Sequence, residues 1–232
     1  MSIFPPYPLR DGIVRLCKSD ADIAAYIHPR IDEVINQLEK YIAEIVLFNP
    51  IYGLVSYKEQ DELIIRHILD SLAPLGILIR ALQEFSAAPQ FIADVGSGAG
   101  LPGIPLAIAL PDAKWTLIEK MQRRADFLLN VTALLKLHQV SVEPSPVENT
   151  EGFRFDMICF RAFQPLSSEL LNHVSRLLKK GGIIAAYKGK AEKIQQELSR
   201  IKNVPAEYRA IRYTVPFMDE ERHIMLGKKY GH

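Results

Sequence analysis

The chain has 232 residues, of which 48% are hydrophobic and 24% are charged, and its formal net charge at pH 7 is +1. This composition is ordinary for a soluble globular protein, and the length suits one sizeable domain or one domain with a small appendage. No apolar run reaches the about 20 residues that a membrane-spanning helix needs, and we find neither internal repeats nor low-complexity segments.

The cysteines and the first residues indicate the cellular compartment. Cys17 and Cys159 form neither a metal-binding spacing nor a disulfide framework, which favours a reducing environment. The start, "MSIFPPYPLRDG", lacks a charged segment followed by an apolar one, so it does not resemble a signal peptide. The sequence therefore predicts a cytoplasmic protein without a membrane partner or a bound metal.

Charge is distributed unevenly along the chain. Residues 1–90 carry eight Lys/Arg against twelve Asp/Glu, whereas residues 91–232 carry twenty against fifteen. A basic half can attract nucleic acid, although ordinary surface charge is the simpler explanation of this asymmetry taken alone.

Helical periodicity dominates about the first 85 residues. Residues 21–48 place apolar side chains at helical spacing, and the proline and glycine of "NPIYG" at Asn49–Gly53 are expected to break that helix. "DELIIRHILDSLAPL" predicts a second helix, and "GILIRALQEF" is a candidate extension of it. We therefore predict an N-terminal helical region over residues 1–88, packed on a catalytic domain over residues 89–232.

From Phe91 onwards, strand-like and helical segments alternate. The predicted strands are "FIADV", "WTLIE", "VSVEP", "FDMICF" and "GGIIAAYKG", most of them followed by a helical pattern. The last two strand-like runs, "YRAIRYTVPF" and "ERHIMLGKKY", have no helix between them and predict a terminal hairpin. This order predicts an α/β fold with a doubly wound, mostly parallel, seven-stranded sheet, whose ligand site lies outside the carboxyl ends of the strands.

The glycine-rich turn after the first strand predicts a nucleoside cofactor. Gly98, Gly100 and Gly103 give a literal G-x-G-x-x-G match, which by itself is a weak sign of a dinucleotide site. Such a site places a pyrophosphate on the backbone amides of the next helix. Pro102 and Pro105 have no amide hydrogen to offer there, so the helix start fits a pyrophosphate poorly.

Two acidic residues distinguish the cofactor classes further. Asp94 ends the first strand, and its carboxylate would repel a pyrophosphate but suit the amino group of S-adenosylmethionine (SAM). The series Asp94, Gly96, Gly98 and Gly100 therefore fits SAM better than a nicotinamide cofactor. Glu119 ends the second strand, where both cofactor classes use an acid to accept hydrogen bonds from ribose hydroxyls.

Several methyl-acceptor chemistries lack the residues they need. The segment "ICFRAFQPL" has no polar-Pro-Pro-aromatic turn of the kind that exocyclic amine acceptors call for. Cys159 lies in the apolar run "DMICF" and is better explained as a buried structural residue than as a nucleophile. Guanine N7 already holds an in-plane lone pair and loses no proton, so its methylation needs orientation but no general base. The sequence is consistent with that acceptor.

Basic residues follow several of the predicted strands. Arg161 follows the fourth strand, Lys188 lies in "YKGK", and Arg222 lies in "DEERH". Arginine binds guanine or phosphate through two parallel hydrogen bonds, but each position is equally compatible with a surface ion pair. Arg123 and Arg124 begin the helix after the second strand, where a solvated face is the simpler interpretation; Arg124 remains a candidate RNA contact.

The ordered motifs resemble a known family. The strings "DVGSGAGLPGIPLAIALPD", "RRADFL", "FRAF", "YKGK" and "DEERH", together with "RHILDSL", resemble the bacterial 16S ribosomal RNA guanine-N7 methyltransferases, also called glucose-inhibited division protein B. The similarity runs from about Asn49 to the end of the chain. It implies a SAM-dependent enzyme that methylates N7 of one guanosine in the decoding-region loop (530 loop) of 16S rRNA. Its substrate would be the 30S subunit or an assembly intermediate, and the enzyme a monomer.

The resemblance also assigns roles by position. Gly96 and Leu101 would flank the methionine part of SAM. Val147 and Glu148 would border the adenine. Arg161 would lie beside SAM and the incoming base as the catalytic candidate. Two cations, Lys188 and Arg222, would face the RNA.

The sequence departs from the family pattern at three places, and other functions remain open. The family has Asn-Leu-Thr where this chain has "NPIYGLV", Ser where it has Phe160, and often Arg where it has Pro146. The alternative function is a SAM-dependent methyltransferase that acts on a small molecule or a protein. A nicotinamide-dependent oxidoreductase and a non-enzymatic RNA-binding module are also compatible with parts of the sequence.

Overall fold

A helical layer precedes a seven-stranded sheet in the computed structural model, which describes residues 8–83, 90–161, 166–201 and 206–229. The expected boundary between residues 1–88 and 89–232 falls at residues 84–89, outside the described residues, as do Ala162 and Phe163 of the "FRAF" motif. Within the described part of the chain, no helix is both long enough and apolar enough to cross a membrane.

The N-terminal layer contains more helices than the sequence predicted. Its helices are α1 (Pro8–Ser19), α2 (Ala21–Ile27), α3 (Ile31–Tyr52), α4 (Gln60–Leu63), α5 (Asp70–Leu72) and α6 (Leu75–Leu82). The long helix ends within "NPIYG", as predicted, but only its glycine ends it, because α3 continues through Pro50. Gly53 is the C-cap, with a φ of 58° and its amide donating to the Asn49 carbonyl.

The second predicted helix contains a wider segment. A π-helix over Ile64–Leu69 joins α4 to α5, so that residues 60–72 form one continuous helical stretch. π-Helical segments are rare and frequently occur at functional sites. After Ala73 and Pro74 the chain begins the separate helix α6.

The sheet has the predicted topology. Its strands are β1 (Phe91–Val95), β2 (Lys114–Ile118), β3 (Val140–Glu143), β4 (Phe155–Arg161), β5 (Leu178–Lys188), β6 (Ala206–Val215) and β7 (Met218–Lys229). The spatial order is β3-β2-β1-β4-β5-β7-β6. The first five strands are parallel, and β7 runs antiparallel between β5 and β6. The doubly wound sheet and the terminal hairpin are therefore confirmed.

Helices cover the sheet from both sides. The remaining helices are α7 (Gly103–Ala109), α8 (Gln122–Leu134), α9 (Ser168–Leu177) and α10 (Ala191–Ser199). One buried cluster joins the sheet to the N-terminal helices and contains Leu38, Leu72 and Met157. The cluster on the other face contains Ile158 and Leu171. Since the first cluster draws on both parts of the chain, the helical layer completes the core on that face of the sheet.

A tyrosine fixes the helical layer to the glycine-rich turn. The hydroxyl of Tyr41 on α3 is fully buried and donates to the Ala99 carbonyl at 2.7 Å. Nearby, Phe48 of α3 packs edge-on against Phe127 of α8, with the ring centroids 5.9 Å apart. The turn that follows β1 is thus held from outside the sheet.

We expect Tyr41→Phe to lower the free energy of unfolding by about 1–2 kcal/mol, because it leaves a buried carbonyl without its donor. Chemical denaturation measures this change. Tyr26→Phe is the control, since Tyr26 is 39% exposed and its substitution is expected to change stability by less than about 0.5 kcal/mol. Equal effects of the two substitutions would contradict the anchoring role of Tyr41.

Candidate active site

The predicted site residues gather at the carboxyl edge of the parallel strands. Asp94 on β1 pairs with Cys159 on β4, and Arg161 ends β4 two residues further along. Glu119 follows β2, and Lys188 ends β5. This edge is where ligands bind in open α/β sheets.

The turn after β1 requires glycine at specific positions. Gly96, Gly98 and Gly100 have φ angles of 68°, 60° and 92°, a region that other residues rarely adopt. A Cβ atom on Gly100 would approach Ile104 Cγ1 to 2.5 Å. Because glycine has no Cβ atom at this position, α7 can begin at Gly103, close to the turn.

Asp94 organises the turn and keeps one oxygen without a partner. Its Oδ2 accepts from the Ser97 hydroxyl at 2.7 Å and from the Gly103 amide at 2.9 Å. Its Oδ1 is buried and has no hydrogen-bond partner among the described residues. Burial raises the pKa of the Asp94 carboxyl to about 6, although the bonds from Ser97 and Gly103 oppose this shift. A buried carboxylate oxygen without a partner suits a ligand that supplies a proton and a positive charge.

Glu119 also binds the turn. Its Oε2 accepts from the Gly98 amide and its Oε1 from the Met121 amide, each at 2.8 Å. Glu119 is buried against the turn, and only 4% of the residue is exposed. Each carboxylate oxygen has a second lone pair, so Glu119 can still accept hydrogen bonds from a ligand.

A narrow cleft separates the glycine turn from the segment after β3. Val147 is buried and Glu148 is exposed, and both line this cleft together with Gly96 and Ile118. Its volume is about 20 Å³. Leu101 is buried beside the turn, 5% exposed. The structure thus brings Gly96, Val147 and Glu148 to the same cleft.

Arg161 contacts the N-terminal helical layer. Its guanidinium forms an ion pair with Asp70 at 3.3 Å and lies 3.2 Å from His67 Nδ1. It also donates to the carbonyl oxygens of Arg66 and His67 in the π-helix. With its side chain only 13% exposed, Arg161 links the sheet edge to the helices.

Asp70 belongs to this cluster, although the sequence analysis gave it no role. It is 5% exposed, and its Oδ1 accepts from the Tyr213 hydroxyl at 2.9 Å and lies 3.5 Å from Arg222 Nε. The resemblance included "RHILDSL", but that motif had no role attached to it. An ionisable residue between the apolar Leu69 and Leu72 was the available signal.

Beyond this cluster lies a cavity of about 540 Å³. Six cationic and two acidic side chains line it: Arg66, Arg161, Lys188, Lys190, Lys193 and Arg222, with Asp70 and Glu197. The cavity wall therefore carries a net positive charge.

The predicted RNA-facing cations differ in their surroundings. Lys188 lines the cavity but pairs with Glu197 at 2.6 Å, and Arg222 pairs with Asp70. Arg124 does not line the cavity: its Nη2 donates to the Gly53 carbonyl, and its Nη1 lies near Gly98. Arg124 therefore lies beside the glycine turn, apart from the other candidate RNA contacts.

Cys159 is a buried structural residue. It is 0% exposed, and its thiol donates to the Ala93 carbonyl at 3.3 Å. Burial and the nearby Asp94 raise the pKa of the thiol well above its ordinary value. The sulfur therefore stays protonated at neutral pH and is a poor nucleophile.

Comparison with solved structures supports the fold. A putative S-adenosyl-L-methionine-dependent methyltransferase from Methanococcus maripaludis superposes with a TM-score of 0.51 at 16% sequence identity. The superposition covers 78% of this chain and 99% of that one. At this level of identity the likeness shows the shared fold alone.

Sequence comparison shows the family. A model of the GidB family, described as rRNA small subunit methyltransferase G, matches residues 34–225. The chain is 32% identical to the ribosomal RNA small subunit methyltransferase G of Treponema denticola over 95% of each chain. It is 38% identical to the protein of that name from Treponema pallidum, over 81% of this chain and 82% of that one. The chain therefore belongs to the rRNA small subunit methyltransferase G family, whose cofactor is SAM.

Proposed function

We propose that this protein transfers the methyl group of SAM to N7 of one guanosine in the decoding-region loop of 16S rRNA. The relatives' names support a small-subunit rRNA substrate, and the resemblance of the motifs supports the guanine-N7 acceptor. The structural observation that supports the proposal is that the described acid–base groups beside the positively charged cavity already have hydrogen-bond or ion-pair partners.

Every acid–base candidate around this cavity that the structure describes already has a partner. His67 accepts from Arg161, and Asp70 binds Tyr213 and two arginines. Glu197 is paired with Lys188, and the Tyr187 hydroxyl donates to a backbone carbonyl. Burial raises the pKa values of Tyr187 and Tyr213. Such a wall suits an acceptor atom that gives up no proton, as N7 of guanine does.

The residues of the glycine turn fit SAM chemically. The unpartnered Oδ1 of Asp94 would accept from the amino group of the methionine part, beside Gly96 and Leu101. Glu119 would accept from the ribose hydroxyls through its free lone pairs. The adenine would lie between the turn and the segment at Val147 and Glu148. Since that cleft measures about 20 Å³, the nucleoside requires the two walls to separate on binding.

Bound SAM supplies an electrophilic methyl group on its sulfonium. The task left to the chain is to hold the guanine so that the N7 lone pair points in line at that methyl group. Arg161, at the end of β4 between the glycine turn and the cavity, is the proposed residue for this orientation. Its planar guanidinium can hold a base or a phosphate by two parallel hydrogen bonds.

The cavity cations are the proposed RNA contacts. Lys190 and Lys193 are exposed in the cavity wall and can meet phosphates directly. Lys188 and Arg222 are paired with acids, so a phosphate would have to displace or share these partners. Electrostatic contact of this kind makes binding steeply dependent on salt.

The decisive assay uses 30S subunits from a strain that lacks the N7 modification. Incubation with the protein and labelled SAM is expected to label a single guanosine in the decoding-region loop, mapped by borohydride–aniline cleavage. Naked 16S rRNA and assembly intermediates serve as parallel substrates. Absence of label on all three would overturn the proposal, and salt-insensitive methylation of a small acceptor would favour the alternative function.

Lys190→Ala combined with Lys193→Ala is expected to weaken binding to RNA of any sequence and to reduce the salt dependence of log K by about two. Fluorescence anisotropy at several salt concentrations measures both quantities. Lys40→Ala is the matched control, because Lys40 is exposed on α3 outside the cavity wall. An unchanged salt slope in the double variant would contradict the assignment of these lysines.

Asp94→Asn is expected to weaken SAM binding at pH 8 by about tenfold or more, because a hydrogen bond to a charged group contributes about 1.5–3 kcal/mol. Isothermal titration calorimetry measures this loss.

The pKa of Asp94 also sets how the variant's folding stability depends on pH. Because this pKa is raised in the folded protein, the contribution of Asp94 to folding stability is full at low pH and is lost as the pH rises through about 6. Urea unfolding is therefore expected to show a variant at least as stable as the parent at pH 8. Unchanged SAM affinity would remove Asp94 from the cofactor site.

A further inference from the structure

The helical stretch over residues 60–72 surrounds Arg161 with acceptors. Arg161 Nη1 lies 3.2 Å from the Arg66 carbonyl oxygen, 3.4 Å from the His67 carbonyl oxygen and 3.3 Å from Asp70 Oδ2. Arg161 Nη2 lies 3.2 Å from His67 Nδ1. Four contacts from one helical stretch therefore converge on one guanidinium, and two of the acceptors belong to the π-helix backbone.

All four contacts fall on the two Nη groups, three of them on Nη1 and one on Nη2. Nε and one Nη2 hydrogen form the adjacent edge of the planar guanidinium. No partner of Nε is seen among the residues that the structure describes. The adjacent edge is a fork of two parallel donors, the geometry by which arginine binds a base edge or a phosphate.

Asp70 holds a second arginine on the same carboxylate. Its Oδ2 faces Arg161 on β4, and its Oδ1 faces Arg222 on β7 and the Tyr213 hydroxyl on β6. The side chain of Asp70 is 7% exposed, so solvent screens these interactions little. One acidic residue thus sets the relative positions of two cations that come from different strands.

His67 holds Arg161 only in one protonation state. Its Nε2 lies 3.1 Å from the Ser56 carbonyl oxygen and must donate, so Nδ1 accepts from Arg161. The charged groups that face the ring are Arg161 from β4, and Asp70 and Glu62 from its own helical stretch. Protonation of Nδ1 would place a donor against the guanidinium and break the contact.

We propose that Asp70 and His67 are positioning residues, which hold Arg161 by its Nη groups and leave its Nε–Nη2 edge for the acceptor nucleotide. This inference rests on the proposed function, in which Arg161 orients the target guanosine. The N-terminal helical layer then helps to orient the acceptor nucleotide through Arg161. Neither residue touches the reacting atoms; each acts through Arg161.

The expected signatures differ between the two residues. Asp70→Asn is expected to lower kcat/KM for 30S subunits by about 10- to 100-fold, because small misplacements of an orienting group have effects of that size. Its SAM affinity is expected to stay the same. His67→Asn keeps an acceptor at the position of Nδ1 but cannot be protonated. The parent enzyme is expected to lose kcat as the pH falls through the lowered pKa of His67, and His67→Asn is expected to keep it.

The direction of this pH effect follows from the environment of His67. Burial and Arg161 lower the pKa of the ring from its ordinary value, so the ring is neutral at pH 7 and becomes charged as the pH falls. Asp94 also titrates near pH 6, and saturating SAM keeps its effect out of kcat. An acid limb that persists in His67→Asn would overturn the role of His67.

Asp156→Asn is the matched control for Asp70→Asn. Asp156 is a buried carboxylate at the opposite end of β4, where it pairs with Lys179 and accepts from the Phe91 amide. Both substitutions are expected to lower the melting temperature, but only Asp70→Asn is expected to lower kcat/KM. Equal losses of activity at equal losses of stability would overturn the positioning role.

A spectroscopic measurement separates this inference from the proposed function. In protein labelled with 15N-arginine, rotation of the Arg161 guanidinium is expected to be slow in the parent and faster in Asp70→Asn. This readout needs no substrate, so it stands even if 30S subunits prove not to be methylated. Free rotation of Arg161 in the parent protein would contradict the proposal directly.

Discussion

The arrangement of the site depends on one buried carboxylate, that of Asp70. Placing a charge in the protein interior costs several kcal/mol unless partners and hydrogen bonds offset it. Here two arginines and the hydroxyl of Tyr213 provide that compensation, and they come from β4, β7 and β6. The strands that carry Arg161 and Arg222 therefore need the helix that carries Asp70, and removing one partner leaves the others with uncompensated charge. For this reason the N-terminal helices and the sheet edge are mutually dependent parts of one site.

The two halves of the site are organised by different kinds of interaction. At the glycine turn, neutral backbone groups dominate: Tyr41 binds the Ala99 carbonyl, and Glu119 binds the Gly98 amide. These contacts fix the path of the chain and leave lone pairs for a ligand. Around the cavity, Arg161, Arg222 and Lys188 pair with acidic side chains of the protein itself. In the proposed function, an RNA phosphate that binds one of these paired cations must compete with its internal acid. Such an exchange stabilises a phosphate in the correct position more than a displaced one.

Local sequence patterns were sufficient to predict the sheet and the glycine turn, because strand alternation and the turn residues Gly96 to Gly100 depend on near neighbours in the chain. Where prediction failed, distant contacts decide the structure. The Arg161–Asp70 pair joins residues separated by 91 positions, and the sequence around either residue gives no indication of the other. The pairing of Lys188 with Glu197 also depends on a distant contact, because it requires α10 to fold back over β5. The π-helix is likewise not evident in the apolar periodicity of its residues.

Among the described residues beside the cavity, the acids and His67 all have partners, so the proposed reaction depends on orientation. If the acceptor atom already presents a lone pair, acid–base groups add little to the reaction, and the angle between that lone pair and the methyl group decides the rate. The described acids beside the cavity, Asp70 and Glu197, pair with cations of the protein, whereas Lys190 and Lys193 are exposed. Arg161 is restrained by a carboxylate, an imidazole and two backbone carbonyls, although a single ion pair would suffice to keep it folded against the helix. The surplus of contacts is what a positioning function requires, since each added contact removes a rotation that the guanidinium would otherwise retain.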